Sequence, residues 1–201
     1  PIYEDKRFAH AYLMPSPFML IRTFRQAVFS KIFEYGGNKG VVGDVLGLAI
    51  EAQVYTALCS MFGTTKVTKI DGKGKHADFH VILDEMNLII EVKTNIGDFS
   101  DKAMMTPAGV AKVWSQLYRA SEQCAASVNQ FKVQNDKTTL ALILVAEHMT
   151  GEPMPFQSCA MRTGLYNALG LREVEFLTLN TLEYILANCS LAEFQKVLFA
   201  K

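Results

Sequence analysis

From Leu20 to Tyr35 the apolar residues Ile21, Phe24, Val28, Phe29, Ile32 and Phe33 recur at helical spacing, and Gly36-Gly37 ends the run. A second helical pattern runs from about Asp44 to Phe62 and stops at Gly63. The period then shortens to that of strands. Lys66–Ile70, Ala77–Leu83 and Leu88–Lys93 read as strands, bounded by the turn-rich segments Asp71-Gly72-Lys73-Gly74 and Asp84–Asn87. After Pro107-Ala108-Gly109 a long amphipathic helix reaches Phe131, with its core stripe at Val110, Val113, Leu117, Cys124, Val128 and Phe131. Thr139–Ala146 is a continuous apolar run, the pattern of a central strand covered on both faces. A helix near Phe156–Leu169, a short strand Glu173–Leu177 and a final helix capped by Asn180 or Thr181 complete the chain.

Helices before, between and after the strands predict an α/β fold, a three-layer αβα sandwich with a mixed central sheet. The aromatic stretch 1–19, broken by Pro15 and Pro17, reads as an irregular arm. Residues 1–40 are thus expected to form an arm and helix packed on a body of residues 41–201. The Pro1 start fits a domain of a longer polypeptide.

Composition narrows the classes. Of 201 residues, 20 are Lys or Arg and 20 are Asp or Glu, so the formal net charge is +0. That balance excludes a protein that coats nucleic acid by bulk positive charge, while leaving room for a local basic patch. No run is expected to reach the roughly 18 apolar residues of a membrane span, and no membrane partner is expected. Cys59, Cys124, Cys159 and Cys189 are widely spaced, without a CxxC pair, and read as reduced thiols in a cytoplasmic, reducing compartment.

Two places break the pattern. In the second helix Leu48, Tyr55, Leu58 and Phe62 fall on one stripe, and Glu51 lies in its middle. A carboxylate among apolar side chains costs several kcal/mol unless a cation or strong donors meet it. A Lys or Arg partner is the plain account, a metal-facing role the chemical one. The second place is the hairpin His76–Asn95. Side chains alternate along a strand, so Glu91 and Lys93 share a face while Ile90 and Val92 take the other. An even-length loop centred near Met86 pairs Asp78 with the Lys93–Asn95 end and puts Asp78, His80 and Ile82 on the face of Glu91 and Lys93; an odd-length loop turns them away. In the even case two carboxylates and a lysine meet at one end of the hairpin. Carboxylates hold hard cations such as Mg²⁺, and a lysine beside them stabilises a phosphorane-like transition state.

With Glu51 on a helix, Asp78 opening a strand, Glu91-Val92-Lys93 on the next, and a helix and buried strand following, the chain resembles the PD-(D/E)XK, or restriction-endonuclease-like, nucleases over roughly residues 40–185. Ala77 stands where that motif has its proline. The resemblance implies a restriction-endonuclease-like fold and a hydrolase cutting phosphodiester bonds with a metal-activated water, an endonuclease ahead of an exonuclease, using Mg²⁺ or Mn²⁺. By position it gives Asp78, Glu91 and the Val92 carbonyl to the metal, Glu51 to the metal through water, and Lys93 to the nucleophile. The alternative is a module of the same fold that binds nucleic acid without cutting it, or scaffolds a larger protein.

Further residues gather around this centre in the sequence. Lys66, Lys69, Lys73 and Lys75 precede Asp78, and Gly72 and Gly74 let that loop approach a phosphate backbone. A solvated glycine-lysine turn is the plainer account. Lys112, Gln116 and Gln123 share one flank of the long helix; Gln116 is the candidate to reach the scissile phosphate. Trp114, Tyr118 and Arg119 are candidates for base stacking or a subunit contact, His80 for a second, Mn²⁺-favouring position, and His148 with Glu147 for a second acid–imidazole pair. The expected partner is nucleic acid, DNA ahead of RNA, with a homodimer or a larger complex compatible with the sequence. The geometric expectation is sharp: the carboxylates of Glu51, Asp78 and Glu91 converge within about one metal-coordination sphere.

Overall fold

The apolar run Met86–Lys93 becomes the longest strand of its sheet together with Thr138–Val145 beside it, and every side chain from Met86 to Val92 is buried. This is seen in a computed structural model, which describes residues 3–4, 12–13, 39–70, 75–84, 86–94, 107–132, 138–145, 174–190, 192–194 and 196. The chain divides into two units, Pro1–Val45 and Leu46–Lys201. In the first, β1 (Tyr3–Glu4) pairs antiparallel with β2 (Tyr12–Leu13). The helices expected over Leu20–Tyr35 and Phe156–Leu169 lie outside the described residues.

In the second unit β3 (Val67–Lys69), β4 (Phe79–Ile82), β5 (Met86–Lys93), β6 (Thr138–Val145) and β7 (Val174–Thr178) form one five-stranded sheet in that spatial order. The β3–β4–β5 pairings are antiparallel, and the β5–β6–β7 pairings are parallel. The sheet is therefore mixed, as expected. Helices α1 (Lys39–Phe62), α2 (Pro107–Lys132) and α3 (Leu179–Asn188) flank it. Strand alternation sorts the core into two layers. Phe79, Val81, Leu88, Ile90, Leu142 and Leu144 pack with Val54, Leu58 and Phe62 of α1 and with Leu182 and Ile185 of α3. Ile89, Ala141, Ile143 and Val145 pack on the other face with Leu117, Ala120, Cys124 and Val128 of α2. The mixed sheet with helices on both faces is an α/β architecture.

Three local expectations change. The hairpin closes two residues earlier than expected: Leu83 N–H donates to the Met86 carbonyl at 2.8 Å, and both residues are buried in the α1-side core. Burial of Met86 draws it out of the loop and into β5. The final helix is capped by Thr178 rather than Asn180 or Thr181; its Oγ1 accepts the Thr181 N–H at 3.1 Å. Thr178→Ala should cost about 1 kcal/mol in urea unfolding, and an unchanged midpoint would remove that role. The helix also ends at Asn188, after which Ser190 and Glu193 exchange hydrogen bonds as a capping box for a further turn that buries Phe194.

The third change concerns α1. It starts at Lys39, and its buried stripe is Val54, Leu58 and Phe62, whereas Leu48 and Tyr55 are exposed. Glu51 lies one turn before Val54 on that stripe. Contrary to the expectation of no span-length run, Gly43–Phe62 is by length and composition long and apolar enough to cross a bilayer. Its only charges are Asp44 and Glu51, which lets so long an apolar segment form. Here its inward residues cover the sheet.

Candidate active site

The site forms where β4 and β5 end together. Register runs Phe79↔Ile90, His80↔Ile89, Val81↔Leu88 and Ile82↔Asn87. One step further, Asp78 stands opposite Glu91. The β4–β5 parity is that of the even-length loop, which puts Glu91 and Lys93 on the α2 face; Asp78, just before β4, lies opposite Glu91 and not at the expected Lys93–Asn95 end. At this end the ladder becomes irregular. The Asp78 N–H donates to the Ile90 carbonyl at 3.0 Å, and Asp78 Oδ2 accepts the Val92 N–H at 2.7 Å. The aspartate thus ties together the strand that carries Glu91 and Lys93.

Glu91 is 2% exposed, and Lys93 Nζ lies 2.5 Å from its Oε1. Glu91 Oε2 is buried with no hydrogen-bond partner. Burial, reinforced by the facing Asp78 carboxylate, pushes the Glu91 carboxyl up to about 8 against the pull of Lys93. Burial is also the main cause that raises Asp78; the Val92 N–H opposes it, Glu51 adds to it, and Lys93 and Lys69 oppose it. Two acids, Glu91 buried and Asp78 half-buried, face each other with Lys93 against Glu91, an electrostatic demand for more positive charge.

A residue that sequence reasoning passed over completes the cluster. Gln123 of α2 is 6% exposed; its Oε1 accepts from Lys93 Nζ at 2.7 Å and its Nε2 donates to the His76 carbonyl at 3.3 Å. One turn on, Ser127 Oγ accepts the buried Ala77 N–H at 2.9 Å. Gln116, the expected candidate, is half-buried, its Oε1 buried without a partner, and it takes no part in this hydrogen-bonded set. The two glutamines are seven residues apart, on one flank and about 10 Å apart along the axis. A usable signal was the small residues Ala120, Ser121, Cys124 and Ala125 around Gln123, which let the helix lie close to the sheet. Cys124, fully buried, lies within electrostatic reach of Glu91, Lys93 and Asp78, and burial pushes its thiol up.

The other candidates distribute as follows. Glu51 keeps 24% of its side chain exposed and forms an ion pair with Lys69 at 2.9 Å, so the plain account of a paired acid holds, although its charge still reaches Asp78. The three-carboxylate convergence is therefore corrected to an Asp78–Glu91 pair: among the described residues, no three His, Cys, Asp or Glu side chains gather as a metal cage. Lys69 occupies the Asp78 end of β3 and is directed at Glu51, whereas Lys66 pairs with Asp84 at 3.5 Å near the turn end. The register places that end about 10 Å along the strands from the acids. Lys75 is exposed, and Lys73 lies outside the described residues. The expected lysine cluster is thus divided between two acidic partners, Lys69 on Glu51 and Lys66 on Asp84. His80 is buried, hydrogen-bonded to Asn87 at 3.1 Å, with its ring centroid 4.0 Å from that of Phe131. Burial lowers its pKa. It is a core histidine and not part of a second metal position. Tyr118 and Arg119 are exposed. The Trp114 side chain, Glu147, His148 and Cys159 lie outside the described residues, while Cys59, Cys124 and Cys189 are free thiols.

The residues present suit a hard divalent cation. Two carboxylates, Asp78 half-buried and Glu91 buried with an unpartnered oxygen, are the donor type and number that Mg²⁺ takes from protein, waters filling the remainder. No family model matches the chain, and no curated protein matches it.

Proposed function

We propose that this protein is a metal-dependent nuclease of the restriction-endonuclease-like type, hydrolysing phosphodiester bonds of nucleic acid, DNA ahead of RNA. The observation that carries the reading is the pairing of half-buried Asp78 with buried Glu91, Lys93 against it, at the end of a mixed sheet. The cation is Mg²⁺ or Mn²⁺, held by Asp78 and Glu91 with the Val92 carbonyl as a further oxygen donor. When bound, it supplies Lewis-acid charge that polarises the scissile phosphate and acidifies water.

The chain's own residues do the rest. Asp78 and Glu91 would hold the cation, whose charge would offset their mutual repulsion. Lys93 has three N–H donors; Glu91 and Gln123 take two of them. The third serves an attacking water or a phosphoryl oxygen, where developing negative charge strengthens it. Burial of Glu91 makes its contact with Lys93 stronger.

The test is hydrolysis of closed circular duplex DNA, single-stranded DNA and RNA with Mg²⁺ or Mn²⁺, comparing wild type with Lys93→Met. Cleavage that falls by about a hundredfold or more in the variant is expected; equal cleavage by both proteins removes the assignment. The ion pair that occupies Glu51 favours one second reading, a module of this fold that binds nucleic acid without turnover. Calorimetry separates them: uptake of a divalent ion at millimolar concentration belongs to the nuclease, and nucleic-acid binding without it to the module.

A further inference from the structure

We infer that Gln123 is the positioning residue of this site, holding the Lys93 ammonium at the acid pair while it clamps the segment that carries Asp78 into β4; the inference rests on the nuclease reading above. The physical reason begins with burial. Gln123 sits on the helix face that packs on the sheet, among Ala120, Cys124 and the buried Ser127. A primary amide there is costly unless both its ends are paired. Both ends are paired, and to different parts of the chain: Oε1 to Lys93 on β5, and Nε2 to the His76 carbonyl in the segment leading into β4, two residues before Asp78. Ser127 adds a second anchor from the same helix to Ala77. Helix α2 thereby fixes the distance between the chain entering Asp78 and the end of the strand bearing Glu91 and Lys93.

The amide also suits the electrostatics. Lys93 has a long, flexible stem, and an ammonium held by Glu91 alone can swing about one oxygen. A second acceptor on the opposite element restricts it to one orientation. Because that acceptor is neutral, it adds no third negative charge to a site where two acids already repel. A carboxylate at the same position would hold the lysine but worsen that repulsion.

The test uses the 201-residue chain and two variants, Gln123→Met, which keeps the shape and removes both polar contacts, and Gln123→Glu, which keeps the acceptor. The readout independent of turnover is the lysine ammonium ¹⁵N–¹H correlation spectrum recorded without metal. Lys93, assigned by its loss in Lys93→Met, is expected to give a signal protected from water exchange in wild type and in Gln123→Glu, and to lose it in Gln123→Met. Retention in both variants, or loss in both, overturns the inference. In hydrolysis assays Gln123→Met should lower kcat on the order of tenfold to a hundredfold with KM little changed. Combined with Lys93→Met it should cost no more than Lys93→Met alone, since it acts through that lysine; additive losses overturn it. Should the wild type hydrolyse no substrate, the nuclease reading falls, and the ammonium spectrum alone decides the part played by Gln123.

Discussion

Asp78→Asn should abolish hydrolysis and, in cation-free buffer, make the protein more stable. The loss of activity follows from removing one of the two carboxylates proposed to receive the cation, and should amount to at least a hundredfold to a thousandfold, roughly the size of deleting one transition-state charge contact. The gain in stability follows from the same geometry. Asp78 faces the buried Glu91, and burial and the Glu51 charge raise its pKa, so its ionised form is destabilised in the folded protein. An asparagine keeps an oxygen for the Val92 N–H, which Asp78 accepts at 2.7 Å, and carries no charge. The expected gain is about 1 kcal/mol in chelator, visible as a rise of a few degrees in Tm. Thermal melts in EDTA and cleavage assays in Mg²⁺ check the two halves. Retained cleavage, or a Tm that falls in EDTA, would contradict the assignment of Asp78 to a cation site.

In the same cation-free buffer, stability should decline steadily between about pH 4.5 and pH 8. Glu91 titrates near 8 in the folded protein against an ordinary 4.5. Between those values the folded state holds a proton that the unfolded chain has released. The stabilisation tied to that proton is complete below 4.5, falls as pH rises, and is gone above about 8. The slope approaches 1.4 kcal/mol per pH unit at most, so the whole window is worth about a few kcal/mol. Asp78, also raised, adds to the decline in the same direction. Urea unfolding at half-unit steps from pH 5 to 8.5 in EDTA measures it. Glu91→Gln should flatten the profile, and millimolar Mg²⁺ should restore stability most at the alkaline end, where the pair is ionised and ready for a cation. A profile that rises with pH, or one that Glu91→Gln leaves unchanged, defeats the account.

Both predictions depend on a face and a register, and these were not equally legible. That Glu91 and Lys93 share a face follows from strand alternation alone, because successive side chains point to opposite sides whatever the strand packs against. That Asp78 joins them needed the parity of the hairpin, and both parities were compatible with the sequence. Where the turn falls was decided by Met86, which is buried between strands and sheet-covering helices and so belongs to β5 instead of the loop. The shift left Glu91 and Lys93 on their common face and moved Asp78 from the Lys93–Asn95 end to Glu91. For α1, the apolar residues surround too much of the helix for periodicity to choose a buried side. Packing chose Val54, Leu58 and Phe62 and left Leu48 and Tyr55 exposed. Glu51 stood out as a carboxylate in an apolar stripe, but its partner, Lys69, comes from a strand that only the folded sheet brings alongside.

The sequence by itself determined the kinds and order of the elements, the mixed α/β layering, the burial of β5 and β6, and the common face of Glu91 and Lys93. These are properties of short windows, set by alternation, turn residues and apolar period. Only the tertiary structure decided that Asp78 faces Glu91, that Gln123 and not Gln116 meets Lys93, and that Lys69 pairs with Glu51 while Lys66 pairs with Asp84. Those outcomes depend on how far one element slides along another, and that slide is set by packing between residues distant in the chain, where a step of two residues or two helical turns exchanges one polar partner for another.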